Sequence, residues 1–119
     1  MEIHEKGRFG EDLACRHLLK KGFTIKERNF KCQYGEIDII AENEKTLIFV
    51  EVKLRKSISH ILPSEYVDSR KIKKISKTAF FYLGNIESLN KTIRFDIIEV
   101  LNSNPPLIRH LENAFRGEF

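Results

Sequence analysis

Asp38, Glu51 and Lys53 stand in the order D-x12-E-x-K, the residue types that phosphodiester hydrolysis calls for. The spacing alone is common, so its meaning depends on the hairpin that carries it. If the turn Glu42-Asn43-Glu44-Lys45-Thr46 is centred between Glu44 and Lys45, residues whose numbers sum to 89 face one another, because register follows from the turn. Asp38 then faces Glu51, Glu36 faces Lys53 and Ile40 faces Phe49. Opposed residues have Cβ atoms roughly 4.5–5.5 Å apart, a span over which two carboxylates can share a divalent cation. The two-residue period of a strand puts Lys53 on the face of Glu51. Opposed carboxylates repel unless something offsets them. Magnesium suits this set, since it takes one or two carboxylates together with waters and phosphate oxygens. The plainer reading is a Glu36–Lys53 ion pair with Asp38 and Glu51 solvated at a sheet edge. The apolar character of the hairpin weighs against it, because unpaired carboxylates in a central strand are costly.

The elements that must hold these side chains are legible from periodicity. Residues 5 to 21 predict a helix, with Phe9, Leu13, Ala14, Leu18 and Leu19 at three- and four-residue steps, Glu11 beside the stripe and Gly22 as the stop. Residues 23 to 30 read as a short strand, followed by a polar turn over 31–34 and the two hairpin strands at 35–41 and 47–54. Ile48, Val50, Val52 and Leu54 form a wholly apolar face that must be core. Residues 65 to 83 predict an amphipathic helix, with Arg70, Lys74 and Lys77 on one face. Residues 92–101 make a further strand, and after Pro105-Pro106 a last short strand runs over 107–111. The order α-β-β-β-α-β-β predicts an α/β fold, a central mixed β-sheet flanked by helices. At 119 residues the chain is expected to form one domain spanning 1–119.

Composition narrows the function classes. Between Glu51 and Lys77 there are eight Lys/Arg against three acids, while the whole chain carries +4. Such a local excess favours a polyanion, since each cation set on a phosphate releases condensed counterions. Cys15 and Cys32 are too few for a disulfide framework and are expected to be reduced. The four histidines are scattered singly, which argues against zinc. The first six residues contain no apolar signal core and no run approaches a membrane span, so a cytoplasmic protein is expected. The nine Phe and three Tyr fall mostly at core spacing, which predicts no base-stacking platform.

Five segments, taken together, carry a resemblance: Gly10-Glu11-Asp12-Leu13-Ala14, Gly35-Glu36-Ile37-Asp38-Ile39-Ile40, Phe49-Val50-Glu51-Val52-Lys53-Leu54-Arg55, Arg94-Phe95-Asp96 and Asn113-Ala114-Phe115. Nearly end to end, the chain resembles the bacterial YraN family of small proteins related to archaeal Holliday-junction resolvases. The resemblance implies a restriction-endonuclease-like PD-(D/E)xK fold in which Asp38 and Glu51, with the backbone carbonyl of Val52, hold Mg²⁺ or Mn²⁺ and Lys53 stands beside the attacking water. Glu11 matches an additional acid that resolvase relatives place near the metal, and Ile37 stands where the motif's name has proline.

On this reading Glu36 positions Lys53, while Arg55, Arg70, Lys74 and Lys77, with Lys71 and Lys73 as looser candidates, follow the phosphate backbone without reading sequence. The expected partner is nucleic acid, foremost DNA, with no membrane role and a homodimer left open. The competing classes are a non-catalytic nucleic-acid-binding module on the same fold and a protein-interaction adaptor. Fold kinship does not by itself establish activity.

Overall fold

Apolar alternation along residues 47–54 is what divides the molecule into layers, because successive strand side chains point to opposite sides of a sheet. The computed structural model describes residues 3–56, 67–84 and 90–118, with side chains from residue 8 onward. Its elements are α1 (Ile3–Lys20), β1 (Thr24–Cys32), β2 (Gly35–Glu42), β3 (Thr46–Arg55), α2 (Ser69–Leu83), β4 (Thr92–Leu101) and β5 (Leu107–Phe115). They form the expected α-β-β-β-α-β-β order. The five strands lie in the order β1-β2-β3-β4-β5, with β3 and β4 parallel and the other neighbours antiparallel. The protein is therefore an α/β fold with a mixed sheet and two helices.

Ile48 and Val50 pack with Ala14 and Leu18 of α1, while Leu47 and Phe49 pack with Ile75 and Ala79 of α2. The helices therefore cover opposite faces. Gly10 of α1 packs over Val52 and Leu54, where a Cβ would make ordinary van der Waals contact at 3.6–3.8 Å. α1 ends at Gly22, whose φ of +91° suits glycine. The Phe23 N–H donates to Leu18 O at 3.0 Å and the Gly22 N–H to Leu19 O at 3.1 Å, which closes the helix in a Schellman turn. Leu19, expected in the apolar stripe, is exposed. α2 starts where Asp68 caps it, its side chain accepting from the Lys71 N–H at 2.9 Å. Residues 65 and 66 of the expected helix lie outside the described residues.

β5 is longer than the expected 107–111. Its polar residues Glu112 and Asn113 look like a strand end in sequence, yet the strand continues to Phe115. Asn113 adopts φ 53° at an irregularity in the β4–β5 register, and its N–H donates to the Asp96 carboxylate at 2.9 Å. Beyond this bulge Phe115 packs on Phe95, ring centroids 5.2 Å apart.

Candidate functional site

Four elements converge at the end of the sheet where β2 begins and β3 approaches its last residues. The β2–β3 ladder keeps the expected register, pairing Ile40 with Phe49 and Ile39 with Val50, and its last pair in this direction is Ile39 with Val50. Alternation breaks here as well, since Ile37 and Ile40 both pack in the α2 layer. Asp38 lies at the break. Its carboxylate accepts from the Val52 backbone N–H at 2.8 Å, taking the place of a ladder bond.

Glu51, next along β3 from the last ladder pair, is buried and carries two ammonium groups: Lys71 of α2 at 2.7 Å and Lys53 at 3.7 Å. Burial, and then the charge of Glu51, pushes the Asp38 carboxyl from its ordinary 3.8 up to about 7, against the Val52 N–H that favours ionisation. The Glu11 charge on α1 acts on Asp38 in the same raising direction. Glu11 itself is held by the Asn29 side-chain amide at 2.9 Å and the Arg28 guanidinium at 3.5 Å. Asn29 owes that position to a left-handed backbone, φ 53°, within β1. Burial and then the Lys71 charge lower the pKa of Lys53, whereas for Lys71 burial is outweighed by its bond to Glu51 and the pKa is raised.

The structure thus brings together Asp38, Glu51, Lys53 and, electrostatically, Glu11, and adds Lys71 as a direct partner of Glu51. Lys71 was expected as a loose phosphate contact. Its helical phase, about 100° from Arg70, turns it into the site while Arg70, Lys74 and Lys77 stay exposed. Only the packing of α2 on the sheet reveals this. Glu36 does not meet Lys53 as the extrapolated register required. The ladder stops before it, and Glu36 lies 3.7 Å from Lys31 across β1. Arg55 is drawn to buried Glu99 at 3.4 Å, which Arg109 also contacts at 3.0 Å, so Arg55 serves an interior carboxylate.

Gly35, Arg70, Lys71 and Lys74 border a groove of about 390 Å³ between the start of β2 and α2. Among the described residues no group of three or more His, Cys, Asp or Glu side chains is arranged to hold a metal ion.

Two further groupings escaped the sequence. His17 and His110, expected to stand singly, meet at 3.0 Å, and His110 Nε2 lies 2.7 Å from Asp96. Tyr34, Phe80 and Phe81 are exposed and not in the core. In both cases helix and strand phase permit the outcome, but the partner comes from another element.

Comparison with known proteins agrees along most of the chain. The family described as "Uncharacterised protein family UPF0102" matches residues 10–100. A UPF0102 protein of Persephonella marina is 46% identical over 110 residues, covering 92% of each chain. One from Clostridioides difficile is 46% identical over 115 residues, covering 97% of this chain and 100% of its own. One from Fervidobacterium nodosum is 49% identical over 106 residues, covering 87% and 77%. No helix among the described residues is long and apolar enough to cross a membrane.

Proposed function

The chain belongs to the UPF0102 family, and from its carboxylate site we propose a metal-dependent endonuclease that hydrolyses DNA phosphodiester bonds, structure-selective in the manner of a Holliday-junction resolvase. The observation that carries this reading is Asp38: desolvated, beside the charge of Glu51, and raised to about 7. A structural carboxylate gains nothing from that condition. A divalent cation removes the repulsion, and a donor set of two carboxylates leaves places for phosphate oxygens, as magnesium prefers. A strand residue's N–H and C=O point to the same edge, so the Val52 carbonyl shares the edge at which its N–H meets Asp38.

Asp38 and Glu51, with the Val52 carbonyl and with Glu11 as an additional acid, would hold Mg²⁺ or Mn²⁺, which supplies Lewis acidity at a phosphoryl oxygen and acidifies water. Lys53, half-buried on the Glu51 side of β3, stabilises negative charge developing on the phosphoryl group. Lys71 neutralises Glu51 when no substrate is present and has a phosphate oxygen as its alternative partner. Arg70, Lys74 and Lys77 neutralise backbone phosphates without reading sequence.

The 2.7 Å contact of Lys71 with Glu51 favours a second reading, in which internal cations replace the metal and the protein is a non-catalytic nucleic-acid-binding module. The deciding experiment incubates purified protein with branched, single-stranded and linear duplex DNA in Mg²⁺, Mn²⁺ or chelator. Metal-dependent nicking supports the nuclease. Silence on every substrate, with salt-dependent binding intact, supports the module.

A further inference from the structure

Aromatic side chains on a protein surface expose apolar area that water disfavours, and here three of them cluster beside a basic face. Tyr34 and Phe81 are 42% exposed and Phe80 is 65% exposed. Tyr34 lies in the turn between β1 and β2; the two Phe lie in the last turn of α2. The rings of Tyr34 and Phe81 meet edge to face at 6.3 Å, and Phe81 is backed by Phe30 at 6.4 Å, itself against Tyr82 at 5.3 Å. The exposed rings are thereby seated on an ordered inner cluster. Together with Ser76, Lys77 and Glu118 they border a groove of about 730 Å³.

This groove neighbours the one bordered by Gly35, Arg70, Lys71 and Lys74, and Lys71 reaches Glu51 from there. Tyr34 adjoins Gly35 in sequence, and Lys77 lies one helical turn beyond Lys74, so the two grooves lie next to one another along α2 and the turn that enters β2. On a helix turning roughly 100° per residue, Arg70, Lys74, Lys77 and Phe81 fall within about 60° of one another. From Lys71, at Glu51, to Phe81 the helix rises about 15 Å, the length of a few nucleotides. Arg70, Lys73, Lys74 and Lys77 are all exposed and form no ion pair among the described residues. Three acids border the two grooves: Glu118, whose backbone N–H donates to Ser76 Oγ at 2.8 Å, Asp68, whose carboxylate accepts from the Lys71 N–H at 2.9 Å, and Glu36, 3.7 Å from Lys31.

We propose that Tyr34, Phe80 and Phe81 form a stacking platform for the bases of an unpaired DNA strand, whose phosphates lie along Arg70, Lys74 and Lys77 toward Asp38 and Glu51. This rests on the nuclease reading and shifts its structure selectivity from a fully paired junction, which offers no free base face, to DNA with a single-stranded portion. Unpaired DNA satisfies both halves of the surface, offering base faces to the rings and phosphates to the cations. Paired bases in a duplex are already stacked and offer no face. A second copy of the chain fits less well, because a two-fold contact through this helix face would set lysines beside lysines.

The test measures binding in chelator, so it is independent of cleavage. Fluorescence anisotropy of the full chain is read with a labelled oligo-dT strand and with a blunt duplex, for the parent, Phe80→Ala, Tyr34→Ala/Phe81→Ala and Phe81→Tyr. The double variant should lose about tenfold or more in affinity for the single strand, with duplex affinity within twofold. Phe80→Ala, at the most exposed ring, should lose single-strand affinity by a smaller factor without loss of folding, and Phe81→Tyr should keep parental affinity. The chain has no Trp, so Phe81→Trp adds a single reporter whose emission should be quenched by oligo-dT and not by the duplex. Parental single-strand affinity in the double variant, or an unquenched Trp in a protein that binds oligo-dT, overturns the platform. So does a parental dimer in sedimentation that Tyr34→Ala/Phe81→Ala dissociates, which assigns the face to a second copy. A protein that cuts DNA with a single-stranded portion at unchanged rate in the double variant, with parental oligo-dT affinity, upholds the nuclease and removes the platform. A protein that never cuts but loses single-strand binding in the variants does the reverse.

Discussion

Asp38 and Asp96 are both strand aspartates beside β3 in one sheet, and their conditions are opposite. Asp96 is fully buried and receives two N–H bonds from Arg94 at 2.9 Å, the Asn113 N–H at 2.9 Å and His110 at 2.7 Å. Burial works against its charge, but His110 and Arg94 outweigh it and hold its pKa below the ordinary value. Around it Lys21, Glu112 and His17 continue the network, tying the end of α1 to β5. Asp38 accepts from the Val52 N–H, faces a second carboxylate, and is pushed up to about 7. A buried carboxylate whose oxygens are all bonded has no capacity left for a ligand and serves the fold. One left short of donors and close to another acid costs stability in the free protein, and that cost is recovered when a cation or proton arrives.

The difference can be broken first at the level of rate. Asp38→Asn should lower metal-dependent DNA cleavage by about a thousandfold or more, while DNA binding in chelator holds steady or tightens, since one negative charge facing phosphates is gone. Cleavage assays alongside anisotropy check this. Residual full activity would mean that Asp38 is not part of the reacting centre.

Asp96→Asn tests the other side. Removing one member of a buried, hydrogen-bonded ionic group leaves Arg94 with only the half-exposed Glu112 at 3.6 Å and should cost about 3 kcal/mol of stability, read by urea unfolding. Asp38→Asn should leave stability near neutral pH unchanged or higher. Equal losses in the two variants would erase the comparison.

Lys53→Ala gives a smaller kinetic effect, about a hundredfold in cleavage, with binding only slightly weakened because one contact among several contributes little to a spread electrostatic interface. A fall in binding as large as the fall in rate would make Lys53 a binding residue alone.

The pH dependence has opposite sign at the two sites. Asp38 has a folded pKa above its unfolded value, so the stability it contributes is fully present below about pH 4 and is lost as pH rises toward 7. Asp96 has a folded pKa below its unfolded value, so its contribution is present above that unfolded value and is lost as pH falls through the folded one. Thermal melts of the parent without metal should therefore decline from pH 5 to pH 7.5 relative to Asp38→Asn. Added Mg²⁺ at pH 7.5 should raise the parental melting temperature and leave Asp38→Asn where it was. Coincident profiles for parent and variant would place the raised pKa elsewhere.

Period and turn position were enough to order the seven elements and to set the hairpin register, because both are local: strand alternation and the centre of a short turn determine which residues face one another. They brought Asp38, Glu51 and Lys53 to one end of one hairpin, and the fit held down to Ile39 and Val50. What lay beyond the last ladder bond was tertiary. The ladder opens because the Asp38 side chain takes the Val52 N–H, and a register extrapolated past that point misplaced Glu36. Lys71 reaches Glu51, and Tyr34 meets Phe81, because α2 crosses β2 closely; a Cβ on Gly35, φ +152°, would lie 3.2 Å from Thr78 Oγ1. His17 and His110 are 93 residues apart and meet only once α1 has docked on the sheet beside β5. Periodicity says which face of an element is apolar, but the side chains at the margin of that face acquire partners only from the element that comes to lie against it.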